Sequence, residues 1–133
     1  MTDLHTETFG VGGATAVLVH GSFGWGTKTF PEQRALGDDH KIVLVDRRGF
    51  GGSKSKRSDG WPTDMRDIAR VLDDLGPAHL VGQSYGAVVV LLAAGLRPER
   101  VLSLTAIEPP AFDLARGDPD ADATAAALRP VLD

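Results

Sequence analysis

The chain contains no cysteine among its 133 residues. Disulfides and thiolate-bound metals are therefore excluded. The N-terminal residues MTDLHTE are polar and acidic, which is unlike a secretory signal peptide. Together these features favour a cytoplasmic location.

The chain also lacks long apolar runs and an excess of positive charge. Its longest uninterrupted apolar run covers only residues 87–94, far too short to cross a bilayer. The formal net charge is −4, and the basic cluster at residues 54–57 is interleaved with serine as in a solvated loop. We therefore expect neither a membrane nor a nucleic-acid partner.

Short β-rich apolar runs alternate with segments of helical length, and Pro and Gly separate many of them. Such alternation predicts an α/β fold with three layers, in which helices cover a doubly wound, mostly parallel sheet. Residues 64–75 carry the clearest helical periodicity, and Gly76-Pro77 ends them. We predict strands at 14–19, 41–45, 78–81 and 101–107, and helices at 29–36, 64–75, 85–96 and 121–128.

The sequence Gly82-Gln83-Ser84-Tyr85-Gly86 joins a predicted strand to a predicted helix. A G-x-S-x-G pentapeptide in this context is typical of a nucleophile elbow, a sharp turn with serine at its apex. The serine must adopt a sparsely populated backbone conformation, which costs about 1–3 kcal/mol. Gly82 and Gly86 remove the side chains that would collide where strand and helix meet. Ser84 is thus the candidate nucleophile.

Two further motifs lie upstream of the pentapeptide, each directly after a predicted strand. The first is HGSFGWG at residues 20–26, and the second is DRRGFGGS at residues 46–53. With the elbow, they resemble the first half of an α/β-hydrolase fold protein, over about residues 14–110. The resemblance implies a serine hydrolase that acts on a small-molecule ester or related acyl substrate and needs no cofactor and no metal. It also implies that residues 1–133 form one partial domain, in which 111–133 begin a lid or tail.

The resemblance assigns roles to residues near the elbow. It places an oxyanion hole at the amides of Ser22 and Tyr85, with His20 and Gly21 supporting the loop. Asp46, at a strand end, is either a catalytic acid or a structural carboxylate that accepts loop amides, and we favour the second.

The base that the serine needs is missing from the expected part of the chain. The resembled family takes its acid and its histidine from positions after the serine, yet no histidine follows Ser84. His79 begins the strand that leads to the elbow, so about 16 Å separates it from Ser84 at about 3.3 Å per residue. His40 also precedes its strand, and only His20 lies near the elbow. His20 either supports the oxyanion loop, as in the resembled family and as we favour, or serves as the base. Glu108, at the end of the fourth predicted strand, is either the acid or a loop carboxylate.

These observations lead us to expect the N-terminal half of a hydrolase of ordinary length, with little turnover by the chain alone. An alternative is a non-catalytic small-molecule binder or assembly partner on the same scaffold. A nucleotide- or flavin-binding domain is disfavoured, because the loop at 21–26 fits neither G-x-G-x-x-G nor a P-loop. In the resembled fold, the strand at 14–19 lies between those at 41–45 and 78–81. The strand at 101–107 would then form an apolar edge open to self-association.

Overall fold

A computed structural model describes residues 2–132; Met1, Asp133 and the side chains at 113, 114, 131 and 132 lie outside the description. None of the helices in that range is both long and apolar enough to cross a membrane. The strands are β1 (Thr6–Phe9), β2 (Thr15–Val19), β3 (Lys41–Val45), β4 (Ala78–Gln83) and β5 (Val101–Ile107), and the helices are α1 (Gly26–Thr29), α2 (Trp61–Leu75), α3 (Tyr85–Leu96) and α4 (Pro119–Leu132).

The five strands form one sheet in the order β1-β3-β2-β4-β5, and all neighbouring pairs except β1–β3 are parallel. The predicted α/β fold is confirmed, as is the position of β2 between β3 and β4. The chain leaves β2 towards β3 and later returns on its other side as β4. The carboxyl end of β2 therefore borders a topological switch point, where open α/β sheets bind ligands.

The sheet is covered on both faces by apolar side chains. One face packs against α2 and α3, through residues such as Ile68, Leu72 and Val89. The opposite face packs against Phe30, just after α1. Four successive residues in each of β2 and β3 are buried, because a strand covered on both faces needs a continuous apolar run.

Helices α2 and α3 follow the sequence pattern closely. α3 has the predicted bounds despite its three consecutive valines, since two of them, Val89 and Val90, are fully buried. α2 begins three residues earlier than predicted, at Trp61. Pro62 stands at its start, where the missing amide costs no hydrogen bond.

The predicted helix at 29–36 is wrong. The chain forms the short α1, then breaks, and then forms a 3-10 turn at Gln33–Asp38. Pro31 explains the break, because it has no amide to donate and its ring disfavours helical geometry in the preceding residue. Phe30 accordingly has φ −122° and ψ 57°.

Strand β1 was not predicted from the sequence. It pairs antiparallel with β3 at the edge of the sheet, and its side chains alternate between exposed and half-buried. The sequence TETF hides a strand of this kind, because two threonines and a glutamate give little apolar signal. Just before it, Leu4 is buried in the core that α2 and α3 share.

The opposite edge strand, β5, has the predicted bounds but little cover. Every residue from Leu102 to Ile107 is exposed, and Leu102 exposes 52% of its surface. Helix α4, which contains the predicted helix at 121–128, packs mainly on the 3-10 turn at Phe112–Ala115.

Candidate active site

Ser84 stands at the sharp turn between β4 and α3. Its φ of 54° and ψ of −125° lie in a region of backbone angles that residues other than glycine rarely adopt, as predicted. The Ser84 amide donates to the carbonyl of Ile107 over 2.9 Å, and its carbonyl accepts from the Ala87 amide over 2.8 Å. The turn is thus bonded both to β5 and to the first turn of α3.

Three glycines let the backbone close around this turn. A Cβ on Gly82 would lie 2.6 Å from Ala87 Cα, and one on Gly86 would lie 2.5 Å from the His20 carbonyl oxygen. A Cβ on Gly21 would lie 3.0 Å from Ser84 Cβ. The backbone contacts at Gly82 and Gly86 leave no room for a side chain, so these two positions require glycine, whereas Gly21 is tightly packed against Ser84.

His20 is fully buried and both of its ring nitrogens are engaged. Nδ1 lies 2.7 Å from the Gly21 carbonyl, which can only accept, so this nitrogen carries the proton. Nε2 then accepts from the Arg47 amide over 3.0 Å. Burial lowers the pKa of His20 to about 4, because the charged ring would lose its hydration. A neutral imidazole with both nitrogens occupied is not free to deprotonate Ser84.

Arg47, which the sequence analysis did not single out, holds the loop after β2. Its Nε donates to the His20 carbonyl over 3.0 Å and one terminal nitrogen donates to the Gly21 carbonyl over 2.8 Å. The other terminal nitrogen pairs with Asp64 at 3.1 Å. The guanidinium also stacks at 4.6 Å on the rings of Phe50 and Tyr85. Burial lowers the pKa of Arg47, and the Asp64 carboxylate opposes that shift.

Asp64 connects Arg47 to the residue that follows the candidate nucleophile. The Tyr85 hydroxyl donates to Asp64 Oδ2 over 3.1 Å, and Ser58 donates to Oδ1 over 2.7 Å. Burial and the nearby carboxylate raise the pKa of Tyr85 to about 12, so the phenol stays a donor. One buried network therefore contacts both loops that resemble an oxyanion hole. The sequence signal for it was an acidic residue on the apolar side of an amphipathic helix.

Asp46 is a structural carboxylate, as the favoured interpretation predicted. Oδ1 accepts from the Gly26 amide over 2.7 Å and Oδ2 accepts from the Gly52 amide over 2.8 Å. The carboxylate thus ties the loop after β3 to the start of α1.

A cavity of about 400 Å³ opens beside Ser84. Both Ser22 and Ser84 line it, so the structure brings the predicted loop and the predicted nucleophile to one pocket. The complete lining consists of Ser22, Phe23, Gly24, Lys28, Thr29, Gln83 and Ser84.

Glu108 lies at the end of β5 and lines a different pocket, together with Pro109 and Pro110. It has a φ of 49°, and it directly follows Ile107, whose carbonyl bonds to the Ser84 amide. Glu108 is therefore the next residue after the one that bonds to the Ser84 amide, but it does not line the Ser84 cavity.

The remaining sheet histidines lie away from the elbow. His79 bonds through Nδ1 to the Ser103 hydroxyl at 2.7 Å, and its ring centroid lies 6.0 Å from that of His40. Within residues 2–132, no group of three or more His, Asp or Glu side chains is arranged to hold a metal ion.

Comparison with known proteins agrees with this geometry. The family model described as "Alpha/beta hydrolase family" matches residues 16–133. The chain belongs to the alpha/beta hydrolase family.

Two curated alpha/beta hydrolase relatives illustrate the similarity. A protein of Azorhizobium caulinodans named as a carbamate hydrolase, RutD, is 37% identical over 109 residues, which are 79% of this chain and 40% of the relative. The esterase YbfF of Escherichia coli is 33% identical over 94 residues, covering 69% of this chain and 37% of the relative. The chain thus spans about two fifths of the length of these relatives.

A solved structure gives the same result in three dimensions. An alpha/beta hydrolase from Sphaerobacter thermophilus superimposes with a TM-score of 0.71 and 30% identity. The match covers 80% of this chain and 41% of that structure.

Proposed function

We propose that this chain carries the nucleophile and oxyanion hole of an esterase-like serine hydrolase. One observation carries the proposal: Ser84 is held in a strained turn at the edge of a cavity that Ser22 also lines. Strain of this kind persists where the surrounding structure supports it, and it is concentrated at functional sites. The similarity to a protein named as an esterase supports acyl hydrolysis.

In the proposed reaction, Ser84 Oγ attacks the acyl carbon of an ester while a base takes its proton. The carbonyl oxygen becomes an oxyanion, and the ester C–O bond breaks as the same base returns the proton to the leaving alcohol. Water then attacks the acyl-serine, which releases the acid and frees Ser84. The Ser22 and Tyr85 amides would stabilise the oxyanion, aided by the positive end of α3. One such donor contributes about 10²–10³-fold in rate.

The base has to come from outside the described site, because His20 uses both ring nitrogens within the loop. Glu108 remains a proposal for the acid that orients that base. A serine site without its base retains about 10³–10⁴-fold acceleration over water. We therefore expect this chain alone to hydrolyse activated esters only slowly.

Intact-mass analysis after exposure to a fluorophosphonate probe tests the proposal. We expect slow labelling at one site, lost in Ser84→Ala and retained in Ser103→Ala, which removes a hydroxyl on exposed β5. Labelling that persists in Ser84→Ala, or a folded wild-type chain that stays unlabelled at high probe concentration, would contradict a nucleophilic Ser84.

A non-catalytic binding protein on the same scaffold is the second candidate. The occupied nitrogens of His20 favour it, because the structure then offers a pocket and a placed serine without a base. Ligand binding in the Ser84 cavity without any probe labelling would support this alternative.

We also propose self-association through β5, whose exposed edge carries Leu102, Leu104 and Ile107. The cytoplasmic location stays a prediction from the sequence.

A further inference from the structure

The cavity beside Ser84 has an unusual charge distribution. Among the described residues that line it, Lys28 alone carries a charge, and no carboxylate is present. The other lining side chains are hydroxyls, an amide and the ring of Phe23, which exposes 82% of its surface. The lining therefore carries one positive charge and no negative charge.

The Lys28 ammonium forms no ion pair within the described residues. Its Nζ lies 5.0 Å from the centre of the Trp25 ring, a contact that attracts a cation without neutralising it. By contrast, Arg47, Arg48 and Arg97 are each paired with a carboxylate. Lys28 thus keeps its donors available to a ligand.

The backbone that carries Lys28 is fixed. Helix α1 is anchored at its start, where the Gly26 amide donates to Asp46, and just beyond its end, where Phe30 is buried. The Thr29 amide closes the turn on the Trp25 carbonyl over 2.9 Å. Lys28 is therefore attached to a fixed part of the wall of the cavity that Ser84 lines.

We infer that Lys28 makes this site selective for acyl substrates that carry a second, anionic group, namely monoesters of dicarboxylic acids. The carboxylate would pair with Lys28 while the ester carbonyl lies at Ser84, and the connecting methylenes would lie along Phe23. This inference rests on the proposed function, because it assigns the substrate class of the same pocket.

Binding of two matched ligands tests the inference without requiring turnover. Monomethyl succinate carries the carboxylate, and its neutral analogue methyl succinamate replaces that group by a carboxamide. Amide chemical shifts of Ser22, Gly24 and Ser84 report binding in the cavity. We expect the wild-type chain to bind the anion about 2- to 5-fold more tightly, as for an exposed charge pair.

Three variants identify the source of that preference. Lys28→Met keeps the apolar stem and should bind both ligands equally, whereas Lys28→Arg should restore the preference. Lys54→Met makes the same change of charge in an exposed loop outside the pocket and should behave as wild type. Equal binding by the wild type, no binding of either ligand, or a preference that survives in Lys28→Met would overturn the inference.

The outcomes are separate from those of the proposed hydrolase activity. If the anion preference depends on Lys28 but Ser84 resists the fluorophosphonate probe, the pocket is a carboxylate-binding site and the hydrolase proposal fails. If Ser84 is labelled but the two ligands bind alike, the hydrolase proposal stands and the role of Lys28 fails.

Discussion

Ser84 and Glu108 lie in two regions of very different packing, although both adopt a positive φ, 54° and 49° respectively. Ser84 lies between β4 and α3, among backbone atoms that exclude any side chain at Gly82 or Gly86. Glu108 follows β5, whose residues from Leu102 onward are exposed. An unfavourable backbone conformation needs support from its surroundings. At Ser84 both β4 and α3 supply that support, whereas Glu108 follows an exposed strand.

The buried polar groups follow the same division. His20, Asp46, Arg47 and Asp64 are all buried on the β2–β3–β4 side, and their hydrogen bonds lead to the loops around Ser84. The candidate nucleophile is thus built into a self-supporting part of the molecule, whereas the candidate acid is not. The predictions below test how far this difference extends.

The largest effect is expected from breaking the Arg47–Asp64 pair. Arg47→Met leaves the Asp64 carboxylate buried without its cation, which should lower the free energy of unfolding by about 3–5 kcal/mol. Arg97→Met removes an arginine from the exposed pair with Asp73, where the side chains are 37% and 40% exposed, and should cost far less, because exposed ion pairs contribute little to stability. Urea denaturation of both variants measures the difference. Similar losses of unfolding free energy in the two variants would mean that the buried Arg47–Asp64 pair is no more stabilising than the exposed Arg97–Asp73 pair.

The second prediction concerns pH. His20 is neutral and buried with a pKa of about 4, below its ordinary value of 6.5, so the unfolded chain binds a proton more readily than the folded one. Its contribution to stability is therefore complete above about pH 6.5 and is lost as the pH falls towards 4. The loss amounts to about 3 kcal/mol at most.

Nitrogen chemical shifts of the imidazole check this directly. We expect the His20 ring to stay neutral in the folded chain down to about pH 5, with the proton on Nδ1, and to become charged near pH 4. His20→Gln should flatten the dependence of unfolding free energy on pH between 4 and 6.5. A His20 ring that titrates near 6.5 would show that the loop is open to water.

A smaller effect is expected from adding one methyl group at the elbow. Gly82→Ala places a carbon 2.6 Å from Ala87 Cα and should destabilise the fold by about 1–3 kcal/mol. Gly95 lies in α3, and a Cβ added there would meet open space. Gly95→Ala should therefore stabilise the fold by about 0.5–1 kcal/mol. Thermal unfolding of the pair checks the opposite signs, and equal effects would contradict close packing at the elbow.

The smallest effect on folding is expected at β5, where the change is in self-association. Leu102→Glu adds a like charge at the exposed edge and should weaken association by at least about tenfold, as measured by sedimentation. Leu36→Glu is the matched control, because the two leucines are 51% and 52% exposed and Leu36 lies away from the edge. A wild-type chain that stays monomeric at high concentration would contradict the proposed self-association through β5.

The sequence predicted those parts of the fold whose signal is local. The bounds of α3 and β5 followed from apolar runs that end at proline or a polar turn, and the strain at Ser84 followed from the G-x-S-x-G context. β1 was missed because an edge strand with one apolar residue in four leaves no such run.

The supports of the candidate site could not be predicted in the same way. The contact between Arg47 and Asp64 joins a loop to a helix, and its partners are set by packing. The loop role of His20 came from the family resemblance, but its hydrogen bond from the Arg47 amide depends on how β2 and β3 align. The failed helix at 29–36 shows that one proline can outweigh a weak helical pattern.

The order of strands also sets the sequence in which the chain can assemble during synthesis. β1, β3 and β2 are adjacent in the sheet and come from the first 45 residues, so they can pair early. The other edge of β2 then waits for Ala78–Gln83, which emerge only after the whole of α2. The turn that carries Ser84 is therefore added to a sheet whose receiving edge has already formed, before β5 completes the far side, and a pause in translation within α2 would leave that edge open to aggregation.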